Sequence, residues 1–389
     1  MKNTYKTTKK RILFVTESLT RGGMETVLVS IANNLAAKDF DVTVLCYDPR
    51  DTLVPDLDAK INYIYKPRKE FRIMRKLPYI KRFYKSKNAV WEHRASARAL
   101  HKYYVGNEKY DVEIGFYRGP SIKIISGSTN KKSKKLAWVH TDFKLCNPKS
   151  ILGWFNNNEE VIAAYGKTDN IVCVSEKARE SFIETIGHSE KTVAVYNMIP
   201  SEKILEKSRE EAPLKRDKFT IVTIGRLIPD KCHDRLLSAT KKLIDEGYDF
   251  DVWIVGGGVS ENGLKNYCIE NNLSNVTFTG MQANPYSYMK EADLFVLTSR
   301  REGFALVVPE AMACSLPVLS TECTGPTEIL KNGQYGILVE NSSDGVYRGI
   351  KSVLDNPDML VPFVNKSEER YKDFDEEKII SEIISLFDN

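Results

Sequence analysis

Short apolar runs alternate with longer stretches of helical spacing along most of the chain. Each run ends at polar or glycine residues, which is typical of buried strands. The stretch 25–37 places Val27, Leu28, Ile31 and Leu35 on one helical face. Because strands and helices alternate, we expect α/β doubly wound, mostly parallel sheets, which bind ligands beyond the carboxyl ends of their strands. The predicted strands are 11–19, 41–47, 61–65, 111–117, 136–140, 170–175, 192–196, 219–225, 251–258, 276–281, 294–297, 317–321 and 335–340.

The length of 389 residues suits two domains better than one. The stretch 201–218 is charged and interrupted by Pro213, so it predicts a connection between domains. We therefore expect a first domain over 1–200 and a second over 219–365, followed by a helical end over 366–389. That end carries an apolar stripe of Ile379, Ile380, Ile383, Ile384 and Leu386.

Composition is that of a globular protein of the cell interior. Apolar residues make up 42% of the chain and charged residues 28%. The seven cysteines form no CxxC pair and no ligand cluster, so we expect free thiols in a reducing compartment. The first apolar run is too short for a signal peptide, and no run approaches the ~20 residues that span a bilayer. These features predict a cytoplasmic protein.

Positive charge is concentrated in the first half of the chain. Residues 1–200 contain 35 Lys and Arg against 21 Asp and Glu, whereas the remainder contains 22 against 31. Within 66–102, thirteen cations are mixed with aromatic and aliphatic residues, and the acids are Glu70 and Glu92. This basic segment predicts contact with an anionic membrane surface, although a solvated helix packed on its own domain is the alternative. Nothing else in the chain supports a nucleic-acid partner.

The most informative stretch is 294–315. An apolar strand, Leu294 to Leu297, precedes a polar turn over 299–303, and a helix is predicted from about Phe304. A strand, a turn and a helix in this order leave free backbone N–H groups that suit an anion. Glu302 and Glu310 bracket the turn, and each carboxylate can accept the two hydroxyl donors of a sugar diol. Pro309 is predicted to kink the helix because it removes a donor.

The segment 301–321, REGFALVVPEAMACSLPVLST, resembles the Glu-x7-Glu segment of the retaining family-4 glycosyltransferases. That resemblance implies the GT-B fold, in which two Rossmann-like domains flank a cleft and a C-terminal helix crosses back to the first domain. It also implies transfer of a sugar from a nucleotide diphosphate sugar, most commonly a UDP-sugar, to an acceptor hydroxyl with retention of configuration. The sequence shows no cluster of metal ligands, so we expect no metal and no other cofactor.

The resemblance assigns donor-binding roles to several residues. Glu310 would hold the ribose, Glu302 the transferred sugar, and Arg226 and Lys231 the diphosphate, for which a guanidinium and an ammonium are suited. The remaining donor-binding residues would be Gly22, Gly23, Met281, Gln282, Gly303, Phe304 and Ala305. The paired glycines permit positive φ and let backbone N–H groups approach the diphosphate closely, although a plain tight turn explains them equally well from the residues alone.

His140 lies where a predicted strand ends, and the resemblance places it near the reaction centre. The predicted catalytic residues are therefore His140, Arg226, Lys231 and Glu302. Two alternatives remain open, namely a sugar-nucleotide 2-epimerase of the same fold and a non-catalytic partner subunit of a glycosyltransferase. The presence of both glutamates and both cations favours a transferase. Its expected acceptor is a lipid-linked or cell-surface polysaccharide precursor, such as a capsule precursor, at the inner face of the cell membrane.

Overall fold

Two parallel sheets, one in each of two units, organise the part of the chain that the structure describes. The computed structural model describes residues 9–20, 22–48, 52–67, 92–146 and 152–388. One unit comprises 1–196 with 380–389, and the other comprises 197–379. No helix in the described ranges is long and apolar enough to cross a bilayer.

The sheet of the first unit has the order β3-β2-β1-β4-β5-β6-β7, and its neighbouring strands are parallel. The winding reverses beside β1, so the carboxyl ends of β1 and β4 lie side by side. The strands are β1 Arg11–Thr16, β2 Asp41–Cys46, β3 Asn62–Tyr65, β4 Val112–Gly115, β5 Lys134–Val139, β6 Asn170–Cys173 and β7 Thr192–Ala194. Its described helices are α1 Gly23–Ala37, α2 Ala97–Tyr104, α3 Pro120–Ile125, α4 Asn158–Gly166 and α5 Glu176–Ile186.

The sheet of the second unit has the order β10-β9-β8-β11-β12-β13 and is also parallel. Its strands are β8 Thr220–Ile224, β9 Asp251–Val255, β10 Val276–Gly280, β11 Leu294–Leu297, β12 Val318–Thr321 and β13 Ile337–Val339. Its helices are α6 Ser201–Ser208, α7 His233–Asp245, α8 Glu261–Glu270, α9 Tyr286–Glu291, α10 Val307–Ala313, α11 Thr324–Ile329, α12 Ser343–Asp355 and α13 Val361–Tyr371. The last helix, α14, is Glu376–Ser385.

Short 3₁₀ turns connect several of these elements, and one of them carries a predicted site residue. The described turns are Val54–Asp56, Ser189–Lys191, Pro229–Lys231, Lys331–Gly333, Pro357–Leu360 and Lys372–Phe374. In the second sheet β8 lies between β9 and β11, so the loops that follow β8 and β11 are neighbours. This reversal of winding positions the Pro229–Lys231 turn beside the turn after β11.

The two parallel sheets confirm the predicted fold class of paired doubly wound domains. Each predicted strand is present, because fully buried residues such as Phe14, Ile254 and Val296 make the apolar runs unambiguous. The observed strands end one to three residues earlier than predicted in most cases, for example β9 at Val255 rather than at residue 258. The three glycines at 256–258 belong to the loop, because the backbone leaves the sheet after Val255.

The stretch 201–218, predicted to be a connection, lies inside the second unit. Its first residues form α6, which packs against α9 and α10 and buries Ile204 completely. The amide of Asn284 donates a 2.8 Å hydrogen bond to the carbonyl of Lys207 at the end of this helix. Charged residues dominate the stretch because it exposes most of its surface, and two adjacent apolar residues in α6, Ile204 and Leu205, gave no helical pattern.

The C-terminal helix, α14, buries part of its predicted apolar stripe. In α14, Ile379, Ile380 and Ile383 are buried, and residues from 380 onward group with the first unit. Within that unit the ring of Phe387 packs edge-to-face on Phe40 at 6.0 Å. The central part of the basic segment, including Arg72, Arg75, Lys76, Lys81 and Arg82, lies outside the described residues.

Candidate active site

The turn after β11 is held in place by hydrogen bonds to two neighbouring segments, and each of these bonds ends on a backbone carbonyl. One segment is the 3₁₀ turn Pro229–Lys231, and the other runs from the end of β12 into α11. These bonds place the carboxyl ends of β8 and β11 next to each other with little freedom. They are Thr298 Oγ1 to the Lys231 carbonyl (2.9 Å), Arg300 N to the Asp230 carbonyl (2.9 Å), Thr321 Oγ1 to the Ser299 carbonyl (2.7 Å) and Gly325 N to the Glu302 carbonyl (3.0 Å).

Glu302 and Lys231 contact each other at this edge of the sheet. The Lys231 ammonium donates to Glu302 Oε1, and the Ser299 hydroxyl donates to the same oxygen at 2.7 Å. The side chains are 13% exposed for Glu302 and 22% for Lys231. An ion pair with this degree of burial gains more from charge attraction than a pair on the surface. The residues predicted to bind the sugar and the diphosphate therefore form one charge-compensated pair.

Backbone conformation differs from the prediction within the same turn. Ala305 has a positive φ of 67°, which is uncommon for a residue other than glycine. The following helix, α10, begins at Val307 rather than near Phe304, so Pro309 is its third residue. Since the first four N–H groups of a helix have no intrahelical acceptor, proline removes no bond there. The predicted kink at Pro309 is therefore wrong.

Glu310 lies in α10 with its carboxyl group shielded from solvent, although part of the residue is exposed. This burial raises the pKa of the Glu310 carboxyl to about 7, because a charged carboxylate is poorly solvated in such a place. The hydroxyl of Tyr286, from α9, lies 3.5 Å from Glu310 Oε1, and its hydrogen bond lowers the pKa of the Glu310 carboxyl. A carboxyl group in this state changes its charge near neutral pH.

Arg226 follows β8 and is exposed. Its side chain makes no hydrogen bond or ion pair with the described residues. The backbone around it is closely packed, because the carbonyl of Gly225 would lie only 1.9 Å from a Cβ at Gly256, whose φ is +146°. Glycine is therefore required at 256 for the ends of β8 and β9 to approach, and the Arg226 guanidinium is left accessible beyond them.

Met281 and Gln282, two of the predicted donor-binding residues, differ in their surroundings. Met281 follows β10 with 75% of its surface exposed. The side-chain amide of Gln282 donates to the carbonyl of Thr279 at 2.6 Å, which ties the loop back to its own strand. The loop then continues to Asn284, whose Oδ1 accepts a 3.1 Å hydrogen bond from the backbone N–H of Tyr286.

The predicted residues of the first unit lie at the carboxyl edge of its own sheet. His140 follows β5, and its ring packs on Phe116 with centroids 4.5 Å apart. Burial lowers the pKa of His140 to about 3, so the imidazole is neutral at physiological pH. Its Nε2 atom is buried without a hydrogen-bond partner among the described residues. A neutral ring with one unmatched nitrogen suits hydrogen bonding to a substrate rather than charge pairing.

Gly22 and Gly23 do not use the positive φ that glycine permits. Gly22 is extended, with φ of −163°, and caps α1, while Gly23 is the first residue of that helix. The Gly22 carbonyl accepts from the backbone N–H and the hydroxyl of Thr26 at 3.0 and 2.8 Å. A Cβ at position 22 would lie 2.5 Å from Glu25 Oε2, the end of a flexible side chain that can move aside. Neither the extended backbone nor the available space therefore requires glycine at position 22.

Two residues that contact the predicted site were not identified from the sequence. Ser299 binds Glu302 from three residues away, and the spacing Ser-x-x-Glu could have indicated it. Tyr286 meets Glu310 across 24 positions and from another helix, and no sequence pattern predicts that contact.

Family comparisons cover most of the chain. A family model described as Glycosyl transferases group 1 matches residues 205–370, and one described as Glycosyltransferase Family 4 matches residues 21–203. A diphospho-undecaprenol 4-alpha-N-acetylgalactosaminyltransferase of Campylobacter jejuni is 32% identical over 60% of this chain, and the match spans 66% of that protein. An uncharacterized glycosyltransferase of Methanocaldococcus jannaschii is 30% identical over 62% of this chain and 72% of its own length.

Solved structures share the fold over almost the whole length. HepE of Anabaena, in complex with UDP and glucose, has a TM-score of 0.72 at 18% identity, covering 96% of this chain and 98% of that one. A TarM variant of S. aureus, in complex with Fondaparinux, alpha-GlcNAc-glycerol and UDP, has a TM-score of 0.73 at 14% identity, covering 98% of this chain and all of that one.

Proposed function

Because this chain belongs to the family-4 glycosyltransferases of the GT-B fold, we propose that it transfers a sugar from a UDP-sugar to an acceptor hydroxyl with retention of configuration. The observation that carries this proposal is the Lys231–Glu302 contact at the carboxyl edge of the second sheet. It joins a cation of the kind that suits phosphate to a carboxylate of the kind that suits a sugar diol, at the edge of the sheet where β8, the strand before Arg226, also ends.

The donor is proposed to be a uridine diphosphate sugar. HepE and TarM, which share the fold, were solved with UDP. Glu310 accepts the hydroxyls of the ribose, and Glu302 accepts hydroxyls of the sugar to be transferred. The loop with Met281 and Gln282 contacts the uracil base of the donor. The exposed side chain of Met281 supplies an apolar surface for the uracil ring.

The chemical step requires stabilisation of the departing diphosphate. The bond between the anomeric carbon and the β-phosphate oxygen breaks, and the acceptor oxygen bonds to that carbon on the same face. The proton of the acceptor hydroxyl passes to the leaving phosphate oxygen, so no protein nucleophile is needed. Arg226 and Lys231 oppose the negative charge that develops on this oxygen, and preorganised cations of this kind stabilise a transition state more than a ground state.

We propose that the reaction needs no metal ion and no other cofactor. The two cations after β8 supply the positive charge that a divalent ion supplies in other transferases. Activity should then persist in excess EDTA.

The acceptor is proposed to be lipid-linked and presented at an anionic membrane surface. The Campylobacter relative is named for a diphospho-undecaprenol acceptor, and a relative in Staphylococcus aureus, 30% identical over 46% of this chain, is a capsular polysaccharide glycosyltransferase. The basic segment 66–102 gives the first unit the charge to approach such a surface. A peripheral position at the inner face of the membrane follows from this proposal.

Turnover of UDP-sugars by the purified protein tests the proposed reaction. Release of UDP with transfer of the sugar to acceptor or to water supports it. A 2-epimerised sugar nucleotide would instead assign the epimerase reaction. A protein that neither binds nor turns over any UDP-sugar would be a non-catalytic subunit.

A further inference from the structure

Glu310 and Tyr286 form a contact that has no role in the reaction as described so far. The carboxyl group of Glu310 is shielded from solvent, and the Tyr286 hydroxyl reaches its Oε1 atom at 3.5 Å. Burial raises the pKa of the tyrosine hydroxyl well above its usual range, so this group remains a hydrogen-bond donor at all physiological pH values. The geometry therefore supplies one fixed donor to one oxygen of the glutamate.

The other ionisable groups around Glu310 do not compensate its charge. Burial and the neighbouring Glu310 raise the pKa of the Cys314 thiol to about 12, so the thiol is neutral. The positive charge of Lys290, an exposed residue of α9, lowers the pKa of the Cys314 thiol. Among the described residues, Tyr286 is the one whose hydrogen bond favours the ionised form of Glu310. Without it, the carboxyl group would be protonated to a higher pH.

Tyr286 also links Glu310 to the loop that precedes α9. Its backbone N–H donates to Asn284 Oδ1 at 3.1 Å, and the Asn284 amide donates to the Lys207 carbonyl at 2.8 Å. The start of α9 is thereby fixed to α6 as well as to α10. A side chain anchored at both its backbone and its hydroxyl loses little further freedom when a ligand binds.

We infer that Tyr286 is a positioning residue of the nucleotide site. It holds one oxygen of the Glu310 carboxylate and favours its ionised form. The carboxylate can then accept hydrogen bonds from the ribose diol of a nucleoside diphosphate. This inference rests on the proposed function, in which Glu310 binds the ribose. A free or protonated carboxyl group would turn and would present a donor where the diol requires acceptors. Tyr286 itself touches Glu310 and not the reacting atoms.

The test compares Tyr286→Phe with Tyr288→Phe in calorimetric titrations with UDP from pH 5.5 to 8.5. Tyr288 lies on the same helix with its ring against Trp253, so its variant removes a hydroxyl without touching Glu310. In the wild type, affinity should rise with pH through the pKa of Glu310, because only the ionised carboxylate accepts both hydroxyls. Tyr286→Phe should weaken binding by roughly 5- to 10-fold at pH 7 and move the pH midpoint upward. Tyr288→Phe should match the wild type.

A second readout uses UDP-sugar turnover. Loss of a contact made equally in the bound and transition states should raise KM for Tyr286→Phe and leave kcat near the wild-type value. An unchanged pH midpoint in Tyr286→Phe, or the same loss in Tyr288→Phe, would overturn the positioning role.

Glu310→Gln separates failure of this inference from failure of the proposed function. It should lose UDP affinity and the pH dependence together, because an amide does not titrate. If Glu310→Gln bound UDP like the wild type with the same pH profile, the ribose assignment itself would fail. If Glu310→Gln lost binding while Tyr286→Phe did not, only the role of Tyr286 would be rejected.

Discussion

Lys231 and Glu302 were each expected to bind a different part of the donor, yet the structure pairs them with each other. The contact is mostly buried, so removing either partner leaves a charge with little solvent to stabilise it. Ser299 holds the same carboxylate oxygen and fixes its direction. The proposed sugar-binding and phosphate-binding roles are therefore coupled through this pair rather than separate.

A double-mutant cycle measures that coupling. Lys231→Ala and Glu302→Ala should each lower kcat/KM for the UDP-sugar by ~10²-fold or more, the effect of losing one preorganised charge. The double variant should lose much less than the product of the two effects, since each single change already breaks the pair. Strictly multiplicative losses would show that the two residues act independently.

The exposed pair Lys242–Asp344 provides the control for this cycle. Its side chains are 50% and 63% exposed and 2.8 Å apart, so solvent screens the attraction. Alanine at either position should leave turnover unchanged. An effect comparable to that of Lys231→Ala would indicate a general loss of charge rather than a change at the site.

The candidate site residues were predicted from the sequence, but their conformations and partners were not. Glu302, Glu310, Arg226 and Lys231 follow strands that buried apolar runs make evident. Residues 71 positions apart meet in the Lys231–Glu302 pair, and no local pattern encodes that meeting. Residue type did not indicate the positive φ of Ala305, because packing against neighbours decides such angles.

At the scale of elements, α11 supports the turn after β11 from behind. Gly325, near its start, donates its N–H to the Glu302 carbonyl at 3.0 Å. A Cβ at position 325 would lie 2.5 Å from the carbonyl oxygen of Phe304, so the helix and the turn approach at backbone distance. The position of Glu302 thus depends on a glycine that makes no contact with substrate in the proposed reaction.

Gly325→Ala should therefore displace the turn and weaken UDP-sugar binding. We expect a destabilisation of ~1–3 kcal/mol, typical of overpacking, with a larger loss of affinity for the UDP-sugar than for UDP because Glu302 moves. Thermal unfolding and calorimetry measure the two effects. Wild-type affinity for the UDP-sugar in this variant would contradict the proposed support.

Gly263→Ala is the matched change in a helix without such a neighbour. Nothing lies within 4 Å of a Cβ at position 263, in α8. Alanine should stabilise that helix by up to about 1 kcal/mol and leave binding unchanged.

The number and order of the elements were predicted well, whereas their ends were predicted poorly. Strand interiors are apolar whatever the context, so β11 was placed at its observed bounds. Helix α6 was missed because one buried residue, Ile204, provides its anchoring contact amid charged neighbours. The start of α10 at Val307 depends on how α11 and Lys231 hold the preceding turn, which is information from distant parts of the chain.

At the scale of the whole molecule, the basic segment of the first half is proposed to approach anionic lipid. Each cation near such a surface contributes about 1 kcal/mol at most, and salt screens the attraction. The protein should co-sediment with vesicles containing anionic lipid but not with neutral vesicles, and high salt should release it. Binding should be lost when five cations become Glu, namely Arg72, Arg75, Lys76, Lys81 and Arg82.

A control with the same change in net charge distinguishes attraction by the basic segment from an effect of the protein's overall charge. It reverses exposed lysines elsewhere in the first unit, namely Lys60, Lys109, Lys131, Lys132 and Lys167. This variant should still sediment with anionic vesicles. Equal loss in both variants, or binding indifferent to lipid charge, would favour a soluble acceptor.

Retention of configuration is tested most directly by proton NMR of UDP-sugar turnover. The purified protein is incubated in excess EDTA with UDP-glucose, UDP-galactose and their N-acetylhexosamine counterparts, and the first sugar product is observed before mutarotation. The product should have the α configuration of the donor, and Arg226→Ala should slow its appearance by ~10²-fold or more while leaving the fold intact. A β product, or undiminished turnover in Arg226→Ala, would contradict the proposed retaining reaction and its leaving-group stabilisation.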